Sequence, residues 1–191
     1  MSTNPSSDSR KRFLLIRTDR VGDTILTFPA VTALRNNYPE AFISFLAQPY
    51  TVPLFEQYTG IDLLLSYEPE GHHRGWKGVM KLSHQLRELN FDAAILFYPR
   101  PELAFALLNA KIPIRIGTGY RWYSFLLNRR IYEHRKDCRK HESEYNLSLL
   151  ESLIPDKITQ PYYEFKQWTP EPWWDDFQTE LKSKDYVILH S

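Results

Sequence analysis

Residues 12–34 read RFLLIRTDRVGDTILTFPAVTAL, and this segment contains the pattern from which the predicted fold is built. Its first apolar run, Phe13 to Ile16, favours a buried strand. A polar turn follows, and then an apolar segment that favours a helix entered at Asp23, with Pro29 kinking that helix or marking its effective start. Ligands of open α/β sheets bind beyond the carboxyl ends of strands, so the polar turn is the first candidate site.

Apolar runs outside this stretch alternate between strand-like and helix-like patterns. The run 91–98 is nearly continuously apolar, as a parallel strand covered on both faces requires. The alternation predicts an α/β fold with a Rossmann-like, doubly wound parallel sheet. The predicted strands after the first are 41–46, 62–67, 91–98, 112–117 and a brief 131–132, and the main later helices are 76–89, 102–109 and 142–153.

The chain of 191 residues allows one domain, or one domain and part of a second. Residues 1–10 are polar and predict a disordered tail. Residues 11–154 form the predicted α/β domain, and residues 155–184 a Pro-rich connector with a helix. The run 185–191 is strand-like, and we expect it to open a second domain; the alternative is an edge strand of the first sheet.

The composition limits which cellular compartment and which kinds of partner are expected. A formal net charge of +1 gives no general attraction to nucleic acid, so none is expected as a partner. The single cysteine, Cys138, excludes an internal disulfide framework and fits a reducing compartment. Neither a membrane-spanning apolar run nor a signal peptide is recognisable, so a cytoplasmic location is predicted.

Four segments carry a resemblance to a known family. They are LIRTDRVGDTILTFPAV at 15–31, RNNYPE at 35–40, RIGTGYR at 115–121 and HESEYNLSLL at 141–150. In this order they resemble the ADP-heptose:lipopolysaccharide heptosyltransferases, glycosyltransferase family 9. The resemblance implies that residues 11–154 are the acceptor-binding, N-terminal half of a GT-B fold. It also implies that Leu189-His190-Ser191 begins the donor-binding domain, whose donor-binding residues would follow Ser191.

The resemblance implies an inverting, metal-independent transfer of heptose from ADP-heptose to a lipopolysaccharide inner-core or lipid A-linked sugar. Asp23 is then the general base. No cofactor is implied beyond this donor substrate. The enzyme would work in the cytoplasm, with peripheral contact at the cytoplasmic face of the inner membrane, and the 191-residue chain alone is expected to be inactive.

The residues themselves leave two interpretations of Asp23 open. An acidic residue after glycine at a strand-to-helix turn is often a helix N-cap, and the other role is that of the base. Its neighbours Thr18, Asp19, Arg20 and Gly22 are candidates for binding the acceptor, or form a solvated turn with local ion pairs.

A basic segment spans residues 111–141, with nine Lys or Arg against two acids. Aromatic residues interleave with the charges, among them Tyr120, Trp122, Tyr123 and Tyr132. Guanidinium groups bind phosphates and carboxylates in a bidentate manner, so Arg115 and Arg121 are candidate acceptor contacts. The alternative is a solvated charged face.

Other kinds of chemistry find no support in the sequence. His72, His73 and His84 lack the spacing of a metal site, and Gly117-Thr-Gly119 is not a dinucleotide fingerprint. Three alternatives stay open. They are a non-catalytic acceptor-binding module, a transferase acting on another glycan or a protein, and a small flavodoxin-like or receiver-like domain with five strands.

Overall fold

A computed structural model describes residues 10–56, 58–134 and 140–154, together with Tyr163 and Thr179. Six parallel strands form one sheet in the order β3-β2-β1-β4-β5-β6. The strands are β1 (Arg12–Ile16), β2 (Phe42–Ala47), β3 (Leu63–Ser66), β4 (Ala93–Leu96), β5 (Ile114–Thr118) and β6 (Arg129–Ile131). The helices are α1 (Val21–Ile25), α2 (Phe28–Asn37), α3 (Pro53–Glu56), α4 (Gly75–Glu88), α5 (Pro101–Asn109) and α6 (Glu142–Ser148). Two short 3-10 helices complete the described elements, Pro49–Thr51 and Ser124–Leu126.

The strand order identifies the type of sheet. The chain builds outward from β1 to β2 and β3, then returns to place β4 on the other side of β1. This order, 3-2-1-4-5-6, is that of the Rossmann fold, and ligands of such sheets bind where the order reverses, here between β1 and β4. The predicted Rossmann-like sheet is therefore confirmed, whereas a five-stranded flavodoxin-like domain does not fit.

Helices cover both faces of the sheet, as the buried strands require. On one face, Phe28, Phe45 and Phe55 pack together in a core beneath α2, α3 and α6. On the other face, Leu82, Leu86 and residues of α5 pack against the alternate side chains of the same strands. Leu14 and Leu15 of β1 point into opposite cores, and neither is exposed. The central strand is thus packed on both faces, and the turn that follows it starts from a fixed point.

Two helix boundaries differ from the sequence prediction. The first helix begins at Val21 rather than Asp23, because Arg20 already has extended backbone and its carbonyl accepts from the Thr24 amide at 3.0 Å. The last described helix, α6, ends at Ser148 instead of residue 153, because the chain tightens into three-residue turns from the Leu149 amide onward. Pro29 marks the start of α2, as one of the two predicted arrangements has it, since α1 and α2 are separate helices.

Several predictions concern residues that are outside the described part of the chain. These are most of the predicted tail 1–10, Cys138, the connector 155–184 apart from Tyr163 and Thr179, and the strand 185–191. They stay predictions.

Candidate functional site

An open cleft of about 710 Å³ lies at the carboxyl edge of the sheet. It is bordered by residues that follow β1, β4, β5 and β6 and by α6, so it includes the point where the strand order reverses. Its lining combines charged and aromatic side chains: Arg17, Asp19, Tyr98, Tyr120, Arg121, Glu133, His134 and Tyr145. This is the position at which an α/β sheet binds its ligand.

Arg17 is the centre of an ion-pair network beside this cleft. Its side chain is only 4% exposed, and three carboxylates surround its guanidinium. Asp19 forms a bidentate pair with it, at 2.5 Å to Nε and 2.8 Å to Nη2. Asp23 Oδ1 lies 3.0 Å from Nη2, and Glu142 Oε1 lies 3.4 Å from Nη1. A buried guanidinium needs such partners, because water cannot solvate it there.

The two aspartates of the turn differ in their access to solvent. The Asp19 side chain is 12% exposed, and both its oxygens are bound by Arg17. Burial raises the pKa of the Asp19 carboxyl; the bonds from Arg17 oppose this rise, and the nearby charge of Asp23 adds to it. The Asp23 side chain is 33% exposed and contacts Arg17 through one oxygen. Of the two, Asp23 has the more exposed carboxylate, whereas Asp19 is the one that lines the cleft.

Asp23 does not cap a helix. It is the third residue of α1, and Arg20, at the N-cap position, makes no side-chain capping bond. The carboxylate turns instead toward Arg17 of the preceding strand end. The capping interpretation is therefore wrong for the described structure. The Asp23 carboxylate contacts Arg17 and does not occupy the N-cap position of α1.

The other residues of the turn have different environments. Thr18 is fully buried, and its Oγ1 has no hydrogen-bond partner, while its carbonyl accepts from Gln48 Nε2 at 2.5 Å. Arg20 and Gly22 are exposed at the start of α1, outside the cleft lining. A Cβ added at Gly22 would meet nothing within 4 Å, so the surface there is open. Of the predicted turn residues, only Asp19 lines the cleft.

The two predicted arginines of the basic segment are separated. Arg121 is exposed and lines the cleft. Arg115 lies near the amino end of β5, where its guanidinium donates to the carbonyls of Leu126 (2.9 Å) and Ile112 (2.5 Å). Arg115 therefore ties together the segments before and after β5. It is not among the residues that line the cleft.

Sequence reasoning missed the contributions of α6 and of the strand end at β4. Glu142 and Asn146 reach Arg17 from α6, with Asn146 Oδ1 3.5 Å from Nη1. Nothing local in the sequence signals this contact, because 125 positions separate Arg17 from Glu142. Tyr98, by contrast, lies two residues after β4, the strand beside β1, and the strand-end rule that singled out the turn points to it as well.

The described residues contain neither a cluster of metal ligands nor a membrane-spanning helix. No three His, Cys, Asp or Glu side chains among them group as ligands of a metal ion. None of the described helices combines the length and the apolar character needed to cross a membrane.

No protein-family model matches the chain, but individual relatives do. This chain is 26% identical over 179 residues to a Haemophilus influenzae protein provisionally named a glycosyltransferase. The match covers 94% of this chain and 49% of the relative. The chain is also 28% identical over 176 residues to lipopolysaccharide heptosyltransferase 3 of Escherichia coli, with 88% of this chain and 50% of that protein covered.

Solved structures share the fold. A family 9 glycosyltransferase of Veillonella parvula superposes with a TM-score of 0.72 at 20% identity, covering 91% of this chain and 49% of that chain. The Escherichia coli ADP-heptose lipopolysaccharide heptosyltransferase II gives a TM-score of 0.65 at 22% identity, covering 91% and 51%. At these identities the likeness shows the fold: this chain has the N-terminal half of a GT-B architecture.

The chain spans about half the length of the curated relatives it matches. The sequence matches and the shared fold agree with the resemblance drawn from the four segments around residues 15–31, 35–40, 115–121 and 141–150. The relatives and the shared fold thus support a place for this chain among the heptosyltransferases of glycosyltransferase family 9, to whose N-terminal part it is similar.

Proposed function

We propose that this chain is the acceptor-binding half of an inverting, metal-independent glycosyltransferase that moves heptose from ADP-heptose to a lipopolysaccharide inner-core sugar. The single observation that carries this proposal is the placement of Asp23. Its carboxylate is one-third exposed and lies 3.0 Å from Arg17, which lines the cleft at the reversal point of the sheet. The names of the relatives supply the donor and the class of acceptor.

In the proposed step, Asp23 takes the proton of an acceptor hydroxyl as the hydroxyl oxygen attacks the anomeric carbon of the heptose. The bond from that carbon to the diphosphate oxygen breaks, and ADP leaves with the electron pair. One displacement with no covalent intermediate inverts the configuration at the anomeric carbon. A general base of this kind contributes about 10²–10⁴-fold to a rate.

The cleft suits a sugar that carries anionic groups. Tyr98 and Tyr120 offer aromatic surface, and sugars present apolar ring faces to such surfaces. Arg121 supplies an exposed guanidinium that can pair with a phosphate or carboxylate of the acceptor. Glu133 and His134 on the same rim are further candidates for bonding sugar hydroxyls, in exchange for their present partners Lys140 and Tyr120.

The donor is proposed to bind to the half of the protein that corresponds to the remaining length of the relatives. No transfer is expected from the 191 residues alone, because donor and acceptor must meet in the cleft between two domains. We also expect domain closure to complete the site and exclude water during transfer.

Peripheral contact with the cytoplasmic face of a membrane is part of the proposal. The outer surface of α4 and α5 exposes Trp76 (63%), Met80 (38%) and Leu108 (40%), and the Trp76 ring lies 4.7 Å from that of Phe105. Exposed lysines flank these apolar side chains: Lys77, Lys81 and Lys111. Apolar and basic side chains on one surface favour anionic bilayers.

Co-sedimentation of the protein with anionic and with neutral vesicles tests the proposed membrane contact. Equal recovery of the protein with both kinds of vesicle would count against it.

The function is tested with the natural polypeptide that contains this chain. It is incubated with ADP-heptose and a heptose-deficient lipopolysaccharide core, with and without EDTA, and the product is examined by mass spectrometry and NMR. The proposal predicts addition of one heptose with inverted anomeric configuration in both conditions. Transfer from a different nucleotide sugar, or to a different glycan or a protein, would replace the substrates named here. Acceptor binding without any transfer would instead favour a non-catalytic module.

A further inference from the structure

We infer that Arg17 is the positioning residue for Asp23, and that Glu142 and Asn146 of α6 fix Arg17 in the orientation that presents one Asp23 oxygen to the acceptor. This inference rests on the proposed function for its chemistry. Its geometry rests on the described contacts alone, so the two can fail separately.

Arg17 distributes its donors unequally between the two aspartates. Asp19 takes a bidentate pair through Nε and Nη2, whereas Asp23 receives a single contact, from Nη2 to Oδ1. The second oxygen of Asp23, Oδ2, has no partner among the described residues. The arrangement therefore assigns different roles to two neighbouring carboxylates. Asp19 anchors the guanidinium, and Asp23 keeps an oxygen available for a hydroxyl proton.

The opposite side of the guanidinium is held by α6. Glu142 Oε1 and Asn146 Oδ1 lie 3.4 Å and 3.5 Å from Nη1, and Asn146 is fully buried. Asn146 also donates from Nδ2 to the carbonyl of Leu26, the residue that ends α1, at 2.9 Å. One side chain of α6 thus contacts both Arg17 and the helix that carries Asp23.

This bracing compensates for a weak local structure. Helix α1 has only five residues and no side-chain cap, and such a short helix is not stable by itself. Its start is tied by the Arg17–Asp23 ion pair and its end by the bond from Asn146 to Leu26. The position of Asp23 therefore depends on residues far away in sequence.

The network also accommodates the proton transfer. Three carboxylates share one guanidinium before the reaction. When Asp23 accepts a proton, Arg17 keeps Asp19 and Glu142 as charged partners, so the buried cation is never left without a counter-charge. An uncompensated buried charge would be strongly unfavourable, and the bidentate pair with Asp19 avoids that cost.

The kinetic test uses Glu142→Gln and Arg17→Lys in the natural full-length polypeptide. Misplaced reacting groups cost up to about 10²-fold in rate. We expect kcat to fall roughly 10- to 100-fold for each variant, with the acceptor KM changed less than about threefold, because acceptor contacts remain. Glu151→Gln, an exposed glutamate just beyond α6, is the matched control and should keep the wild-type kcat.

A double-mutant test separates positioning from general destabilisation. In an Asp23→Asn background, Glu142→Gln should lower the residual rate no further, since it acts through Asp23. An equal proportional loss in both backgrounds would overturn the inference, as would a change in KM with kcat intact.

A structural measurement decides the inference independently of activity. Crystal structures of the 191-residue chain with Arg17→Met, and with the milder Glu142→Gln, should show the Asp23 carboxylate displaced or in several rotamers. An Asp23 carboxylate unmoved in both variants would overturn the positioning role. If the wild-type polypeptide transfers no heptose, the proposed function fails, while this measurement still tests the network.

Discussion

Glu142 Oε1 lies 3.4 Å from Arg17 Nη1, although 125 positions separate the two residues in the sequence. Their contact joins the last described helix to the end of the first strand, so the far end of the domain completes the environment of the turn that follows β1. The cleft is bordered on one side by this same helix, through Tyr145 and Leu149. The environment of the cleft therefore depends on residues from both ends of the described domain.

Arg115 and Arg121 are expected to separate stability from binding. Arg115→Ala removes the donors of two backbone carbonyls, Leu126 and Ile112, and should lower the free energy of unfolding by about 1–3 kcal/mol. Arg121→Ala removes an exposed side chain from the cleft and should change stability by less than about 0.5 kcal/mol. Urea unfolding measures both.

The same pair predicts opposite effects on the acceptor. Arg121→Ala in the full-length polypeptide should weaken acceptor binding, whereas Arg115→Ala should leave it unchanged in the folded protein. Calorimetric titration with the core acceptor measures this difference. If only the Arg115 variant lost affinity, Arg115 would be the residue that contacts the acceptor. That result would contradict its placement at the amino end of β5.

Gly78 and Gly22 form a second matched pair. A Cβ at Gly78 would lie 2.2 Å from the carbonyl carbon of His73, which is rigid backbone, so Gly78→Ala should destabilise by about 1–3 kcal/mol. Gly22→Ala meets no atom within 4 Å and lies inside α1, so helix propensity should leave stability unchanged or raise it by up to about 1 kcal/mol. Equal thermal stability of the two variants would contradict the close approach of α4 to His73.

His73 predicts a dependence of stability on pH. Burial lowers the pKa of its imidazole below the ordinary 6.5, and the neutral ring accepts a bond from the Glu68 amide at 3.0 Å. Between pH 6.5 and the lower folded pKa, the unfolded chain binds a proton that the folded chain does not. The free energy of unfolding is thus highest above pH 6.5 and should fall as the pH is lowered through that window.

His73→Asn keeps an acceptor for the Glu68 amide and removes the titration, so its stability curve should be flatter below pH 6.5. His84→Asn is the control, because His84 is exposed beside Glu88 and its loss should leave the slope in place. Chemical unfolding at a series of pH values measures the slopes, and identical curves for wild type and His73→Asn would contradict the assignment.

The sheet was largely predictable from sequence, because buried parallel strands require continuous apolar runs. Each predicted strand from 41–46 to 112–117 overlaps an observed one, and even the three-residue β6 overlaps the brief strand predicted at 131–132. Helix ends were harder to place. The start of α1 depends on the backbone of Arg20, and no capping side chain marks it.

The site was predictable only in part. The strand-end rule located the turn at residues 17–23, but which of its carboxylates faces solvent depends on Arg17, and the orientation of Arg17 depends on α6. The structural role of Arg115 could not be predicted from sequence either. Its guanidinium bonds the carbonyl of Leu126, which lies in a loop whose path is set by tertiary packing. Local pattern identifies where a strand ends, while long-range contacts decide which side chain is available.

Asp23 is the proposed base of a heptose transfer. The most direct test compares single-turnover rates of the wild-type full-length polypeptide and its Asp23→Asn variant, with saturating ADP-heptose and core acceptor. Asn preserves size and can still accept a bond from Arg17, but it cannot take the proton. We expect a loss of about 10²–10⁴-fold in the rate of transfer with folding intact. A variant that transfers heptose at the wild-type rate would contradict it.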